Sequence, residues 1–101
     1  MPLFYFRYSG AMSWTFLSNH GHVIVQIKNH PEIKLTELAA QVGVTERRVR
    51  EIVTDLREAG YLEVFKSGRR NSYKVIEGKK LRHSAESSHR LSELLAIFKS
   101  T

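Results

Sequence analysis

Apolar residues recur at intervals of three and four along three stretches of the chain, the spacing that gives one face of an α-helix. The pattern predicts helices over Ser18 to Asn29, Glu37 to Val42 and Glu46 to Ala59. Stop signals agree with these bounds, because Pro31 follows the first stretch while Gly43 and Gly60 follow the other two. The residues that can cap the three helices are Ser18 or Asn19, Thr36 and Thr45.

Alternation of apolar and polar residues predicts a β-hairpin directly after the third helix. Its strands are Tyr61 to Phe65 and Ser72 to Ile76, joined by the glycine-containing loop 66–71. A shorter alternating run, Ile33 to Leu35, predicts a small edge strand before the second helix. The β-branched run Val23 to Val25 could itself form a strand, but the length of its stretch and the proline after it favour a helix.

The segment from Leu35 to Ala59 therefore holds two helices joined by a tight turn at Gly43, which is the pattern of a helix-turn-helix. In proteins that use this motif, the second helix enters the major groove of DNA. Because a hairpin follows directly, the predicted fold class is mainly α with a small β-hairpin (α+β), a winged helix-turn-helix. Its parts are a three-helix core, a wing and a C-terminal helix.

Positive charge is concentrated on the two elements that contact DNA in this architecture. The chain has 16 Lys and Arg against 10 Asp and Glu, with a net charge of +6, a balance typical of domains that meet a polyanion. From the recognition helix, about 45–59, the residues expected in or beside the major groove are Thr45, Arg47, Arg48, Arg50 and Thr54. From the wing, 66–71, those expected on the backbone or in the minor groove are Lys66, Arg69, Arg70 and Asn71. The sequence predicts a transcription regulator that binds double-stranded DNA sequence-specifically.

A second interpretation gives the same arginines no role in DNA binding. Arg47 can pair with Glu51, and Glu46 with Arg50, as ion pairs one turn apart on a solvated helix face. Winged helices also serve as protein-binding modules, so the alternative function is a protein–protein interaction module in a nucleic-acid-associated complex. A DNA titration at two salt concentrations separates the two functions, because a protein that follows phosphates loses affinity steeply with salt.

A last helical pattern starts at Ser84 or a neighbour and extends to about Lys99. Along one edge of this helix lie Leu91, Leu94, Leu95 and Phe98, and Ile97 widens the apolar arc. The helix can dock on the first helix of its own chain, form the interface of a homodimer, or do both with different faces. Because helix-turn-helix proteins usually bind two-fold operators as dimers, we expect this edge at a dimer interface.

The chain divides into an N-terminal extension or arm over 1–12, a winged-helix domain over 13–80 and a C-terminal helix over 81–101 that serves dimerisation. The extension is rich in aromatic residues. It is interpreted either as the product of an upstream start or as an arm that packs on a partner chain, since exposed aromatic side chains need cover. It does not resemble a signal peptide, because no small-residue cleavage site follows an apolar core.

Several classes of function lack the residues they need. The absence of cysteine excludes disulfides, thiolate metal sites and cysteine nucleophiles, and it fits a cytoplasmic location. The 5 histidines are scattered without a cluster of further ligands, so no metal site is expected. No catalytic arrangement, P-loop or dinucleotide fingerprint is present, so neither an enzyme nor a cofactor is expected. No apolar run approaches the roughly 20 residues that span a membrane.

The stretch from Leu35 to Ile76, LTELAAQVGVTERRVREIVTDLREAGYLEVFKSGRRNSYKVI, resembles the winged-helix bacterial and archaeal transcription regulators of the MarR, ArsR and AsnC type. Its segment from Asp55 to Leu62 is typical of the junction between the recognition helix and the wing in these regulators. More narrowly, the chain from Ser13 to Phe98 looks like a group of short stand-alone regulators. The resemblance implies a DNA-binding regulator but no effector, because the flanking helices of a MarR-type pocket and the cysteines of ArsR-type metal sensors are missing.

Overall fold

Three helices, a β-hairpin and a short fourth helix follow one another along residues 14–99, the part of the chain that this computed structural model describes. The predicted arm over 1–12 lies outside the described residues. The elements are α1 (Asn19–Asn29), α2 (Leu35–Val42), α3 (Glu46–Glu58), β1 (Leu62–Ser67), β2 (Arg70–Val75) and α4 (Leu91–Ile97). The two strands form one antiparallel sheet. The α+β fold class expected from the sequence is confirmed.

Side-chain caps fix the starts of α1 and α3 where the sequence places them. The Ser18 hydroxyl accepts a hydrogen bond from the Gly21 N–H at 3.2 Å, and the Thr45 hydroxyl accepts one from the Arg48 N–H at 3.1 Å. Between α2 and α3, Gly43 has φ 87°, a left-handed conformation that a side chain disfavours. Gly43 thus allows the chain to turn within a few residues from the end of α2 to the Thr45 cap of α3.

The expected strand over Ile33 to Leu35 and the expected Thr36 cap are both wrong. Lys34 has an extended backbone at φ −74° and ψ 149° and is itself the N-cap of α2, so the helix begins at Leu35. The Leu38 N–H already donates to the Lys34 carbonyl at 2.9 Å. Toward the hairpin, a hydrogen bond from the Tyr73 N–H to the Pro31 carbonyl does not continue into the repeated ladder that a strand requires.

The wing is a longer and tighter hairpin than the alternation indicates. Residues pair in register from Leu62 with Val75 to Ser67 with Arg70, which leaves a two-residue turn. Gly68 in this turn has φ 64°. The predicted loop 66–71 therefore shrinks, and the residues at its two ends lie on paired strands.

The C-terminal helix is much shorter than predicted, because α4 begins at Leu91 and not near Ser84. The preceding segment 81–90 is a closed loop. Its ends are joined by backbone hydrogen bonds from the Leu81 N–H to the His89 carbonyl at 3.0 Å and from the Leu91 N–H to the Lys79 carbonyl at 2.9 Å. These bonds tie the loop across to residue 79, which a continuous helix through the segment would not allow.

The core lies between one face of each of the first three helices, the base of the wing and one face of α4. Its most deeply buried side chains are Val23, Ile27, Leu38, Val49, Ile52 and Leu62. Further core contacts come from Leu91 and Leu95 of α4. Because Val49 and Ile52 are fully buried, the opposite face of α3 must lie in solvent.

Tyr73 and Tyr61 offer a matched test of the core. Among residues 14–99, the Tyr73 hydroxyl is buried without a hydrogen-bond partner, whereas the Tyr61 hydroxyl donates to the Lys80 carbonyl at 2.6 Å. An unpaired buried hydroxyl costs about 1–3 kcal/mol, and a satisfied one contributes about 1 kcal/mol. We therefore expect Tyr73→Phe to leave unchanged or raise the free energy of unfolding in urea, and Tyr61→Phe to lower it. Equal losses in both variants would contradict the unpaired state of Tyr73.

Candidate nucleic-acid interface

The front half of α3 presents three arginines to solvent. Arg47 is 90% exposed, and Arg48 and Arg50 are also exposed, on the sides of the helix away from the core. Thr45, at the start of the helix, is exposed but its hydroxyl caps the helix, and Thr54 is only partly exposed. The cationic half of the helix is thus its N-terminal half, where the helix dipole adds partial positive charge.

Carboxylates of the same helix pair with all three arginines. Arg50 Nη2 lies 3.4 Å from Glu46 Oε1, Arg48 Nη1 lies 3.1 Å from Glu51 Oε1, and Arg47 Nε lies 3.8 Å from Glu51 Oε2. The Arg48 pair, at three residues' separation, is one that the sequence analysis did not anticipate. Exposed ion pairs contribute about 0–1 kcal/mol each, so these contacts do not prevent the guanidinium groups from turning to a phosphate or a base.

The wing carries the second cationic group. Lys66, Arg69 and Arg70 are exposed along the hairpin end, and Asn71 is partly exposed. Arg70 also faces the loop before α2, where its Nη2 atom lies 3.9 Å from Glu32 Oε1. Two separate elements, α3 and the wing, therefore hold all of the residues that the sequence predicts for DNA.

The structure brings two further polar residues, which the sequence did not assign to DNA, close to the wing. A hollow of about 630 Å³, here called the α2–wing hollow, is lined on one side by residues 32–36 and on the other by residues 69–71 and Tyr73. It brings the exposed side chains of Lys34 and Thr36 next to Arg69 and Arg70. The signal in the sequence was the position of both residues at the start of the motif's first helix, which crosses the DNA backbone in related architectures.

The four residues expected at a dimer interface divide into two groups. Leu91 and Leu95 are buried in the core of their own chain, Leu95 with 5% exposure, so no other chain can reach them in this arrangement. Leu94 is half-buried and Phe98 is exposed. Ile97, which belongs to the same apolar arc of the C-terminal helix, is 74% exposed.

A second and larger hollow of about 1220 Å³ runs along this part of the surface, between the start of α1, the end of α3, loop 81–90 and α4. Phe16, Leu94 and Ile97 all line it. Trp14 stacks edge-on against Phe16, with ring centroids 5.1 Å apart, and both rings are exposed. We call Phe16, Leu94, Ile97 and Phe98 the apolar edge.

Histidines near this hollow pair with single carboxylates. His20 Nε2 lies 2.8 Å from Asp55 Oδ2, and His89 Nδ1 lies 2.7 Å from Glu93 Oε1. Within residues 14–99, no group of three or more potential ligands is arranged to hold a metal ion. In the same range, no helix is long and apolar enough to cross a membrane.

Comparison with known proteins points to the same winged helix-turn-helix fold. Residues 19–63 match the sequence model of a winged helix-turn-helix DNA-binding family. The search of curated proteins gave no match. Among solved structures, the chain is similar to MepR, a transcription regulator of the Staphylococcus aureus multidrug efflux pump MepA, with 13% identity and a TM-score of 0.54 over 79% of this chain and 56% of MepR. It is also similar to the PcaV transcriptional regulator from Streptomyces coelicolor, with 16% identity and a TM-score of 0.53 over 81% of this chain and 60% of PcaV. The chain spans less than two thirds of either protein and shares their fold.

Proposed function

We propose that this winged helix-turn-helix chain regulates transcription by binding double-stranded DNA. The observation that carries the proposal is the front half of α3, where Arg47 lies opposite the buried face and Arg48 and Arg50 are exposed on its two flanks. The family match over residues 19–63 and the likeness to two transcription regulators support it. The proposal includes a cytoplasmic location and no enzymatic step.

In this proposal the front of α3 lies in the major groove. Arg47, Arg48 and Arg50 contact base edges or the flanking phosphates, since a guanidinium can bind guanine O6 and N7 with two hydrogen bonds. Thr45 remains close to the DNA as the helix cap. Thr54 contributes at most at the margin, because it is partly covered.

Two copies of the chain form the DNA-binding unit. A two-fold dimer places two recognition helices about 34 Å apart, which matches successive major grooves of a palindromic site. The apolar edge is the surface we assign to this contact, because large apolar side chains exposed together mark interaction sites. Leu91 and Leu95 pack in the core of their own chain and so hold α4, which carries most of the apolar edge, in place.

A DNA titration at several salt concentrations tests the proposal. A duplex is first selected from a random library with the wild-type protein, and its affinity is then measured between about 50 and 200 mM salt. The logarithm of affinity must fall linearly with the logarithm of salt concentration, by nearly one unit of slope per phosphate contacted. No selectable duplex, or an affinity independent of salt, would favour the protein-interaction module instead.

For the wing we expect a non-specific contribution. Replacing Arg69 and Arg70 together by Ala should weaken selected and unrelated duplexes alike and flatten the salt slope by about one unit for each phosphate that the variant no longer binds. Arg57→Ala is the control, because it removes one positive charge from the last turn of α3, at the end of the helix away from the arginines proposed to bind DNA. A double variant that loses discrimination between sequences but keeps the wild-type salt slope would assign base reading to the wing.

A further inference from the structure

We infer that the α2–wing hollow binds one phosphate of the DNA backbone, and that the Glu32 carboxylate pairs with Arg70 of this site in the DNA-free protein. The inference rests on the proposed function, but it concerns residues outside the recognition helix. It adds Lys34, Thr36 and Tyr73 to the residues that favour DNA binding, whereas Glu32 lowers the affinity for DNA.

The charge balance of the hollow favours an anion. Lys34, Arg69 and Arg70 line it with three cations, against the single carboxylate of Glu32. Thr36 adds a hydroxyl donor at the same place. A phosphodiester carries one negative charge on two free oxygen atoms, and arginine binds such a pair of oxygens with two parallel hydrogen bonds.

The start of α2 faces this hollow with its own partial positive charge. Lys34 occupies the N-cap position and makes no side-chain hydrogen bond to the helix, because an ammonium group has no lone pair to offer. Leu35 and Thr36, the first two residues of the helix, both line the hollow. Backbone N–H groups at such a position bind phosphates in many proteins.

The Tyr73 hydroxyl is an independent sign of a missing partner. Tyr73 is only 6% exposed, and its hydroxyl has no hydrogen-bond partner among the described residues. The same residue lines the α2–wing hollow. Buried polar groups are nearly always paired, and a water that bridges the hydroxyl to a phosphate in the hollow would supply the partner.

Glu32 competes with the phosphate for Arg70. Its Oε1 atom lies 3.9 Å from Arg70 Nη2, and both side chains are largely exposed. A carboxylate at this position offers Arg70 the same kind of oxygen as a phosphate but repels the phosphate itself. DNA binding must therefore separate Glu32 from Arg70, which lowers the affinity of the wild-type chain.

The test uses full-length variants and the duplex selected by the wild-type protein. Glu32→Gln should bind about threefold or more tightly at low salt, since it removes a like charge from the phosphate site. Glu58→Gln, which removes an exposed carboxylate at the far end of α3, should bind as the wild type does. Lys34→Met and Thr36→Val should each bind about tenfold more weakly, the scale of one hydrogen bond to a charged group.

Single methylphosphonate substitutions along the duplex locate the phosphate. One position in each half-site should weaken the wild-type complex more than the Lys34→Met complex, because that variant has already lost one of the contacts to this phosphate. Inorganic phosphate, titrated while amide NMR signals of Thr36 and Arg70 are followed, probes the site without DNA. Shifts with phosphate together with unaltered DNA binding in the variants would assign the hollow to a free anion and overturn its role on DNA.

The two proposals fail separately. If the wild-type chain binds DNA with the expected salt slope while Glu32→Gln, Lys34→Met and Thr36→Val all bind like it, only the phosphate site is wrong. If the wild-type chain binds no duplex at all, the proposed function itself is wrong.

Discussion

Replacing Arg47 by alanine should weaken binding to a selected duplex by about 1–3 kcal/mol if its guanidinium reads a base with two hydrogen bonds, and Arg50→Ala should do the same. The fold should be unaffected, because both side chains are exposed and their ion pairs with Glu51 and Glu46 are weak. Fluorescence anisotropy gives the affinity, and circular dichroism with urea unfolding gives the stability of each variant.

Conservative variants separate base reading from simple charge. Arg47→Lys keeps the positive charge but cannot form the two parallel bonds of a guanidinium, so a base-reading Arg47 should lose most of its specificity in this variant. An arginine that contacts only phosphate should tolerate lysine. Arg57→Ala controls for the loss of a charge from the same helix. Wild-type affinity in both the Arg47→Ala and Arg50→Ala proteins would instead favour a protein-interaction module.

Local signals explain why α1, α3 and the wing could be predicted closely from the sequence. Ser18 and Thr45 cap their helices with their own hydroxyls, and Gly43 adopts the left-handed conformation that ends α2. Each of these features acts within four residues. The exposed face of α3 followed in turn from the burial of Val49 and Ile52.

Contacts between distant segments account for the errors. Pattern alone favours a helix from Ser84, but hydrogen bonds between residues 79 and 91 close loop 81–90 instead. The same limitation hid the α2–wing hollow, whose two sides come from separate parts of the chain. Helical spacing also groups Leu95 with Phe98, and it does not tell which of them the rest of the chain already covers.

The dimer proposal makes the largest expected difference to DNA binding. Ile97→Glu should convert a dimer into a monomer, because Ile97 is 74% exposed and a charge buried in an interface is strongly unfavourable. Loss of the second recognition helix removes the benefit of simultaneous binding, which amounts to about 10²–10⁴-fold in affinity for a palindromic duplex. Light scattering and DNA titration should therefore change together.

Two further variants on α4 distinguish a dimer contact from a defect in folding. Ala96→Glu adds the same charge at an exposed position of the same helix that does not line the larger hollow, and it should keep the wild-type mass. Leu95→Ala should lower the free energy of unfolding by about 2–5 kcal/mol, because Leu95 packs in the core. When the wild-type protein and Ile97→Glu are both compared as monomers, their free energies of unfolding should be nearly equal. If light scattering already gives the mass of a monomer for the intact protein at tens of micromolar, α4 only packs on its own chain, and the apolar edge does not join two copies.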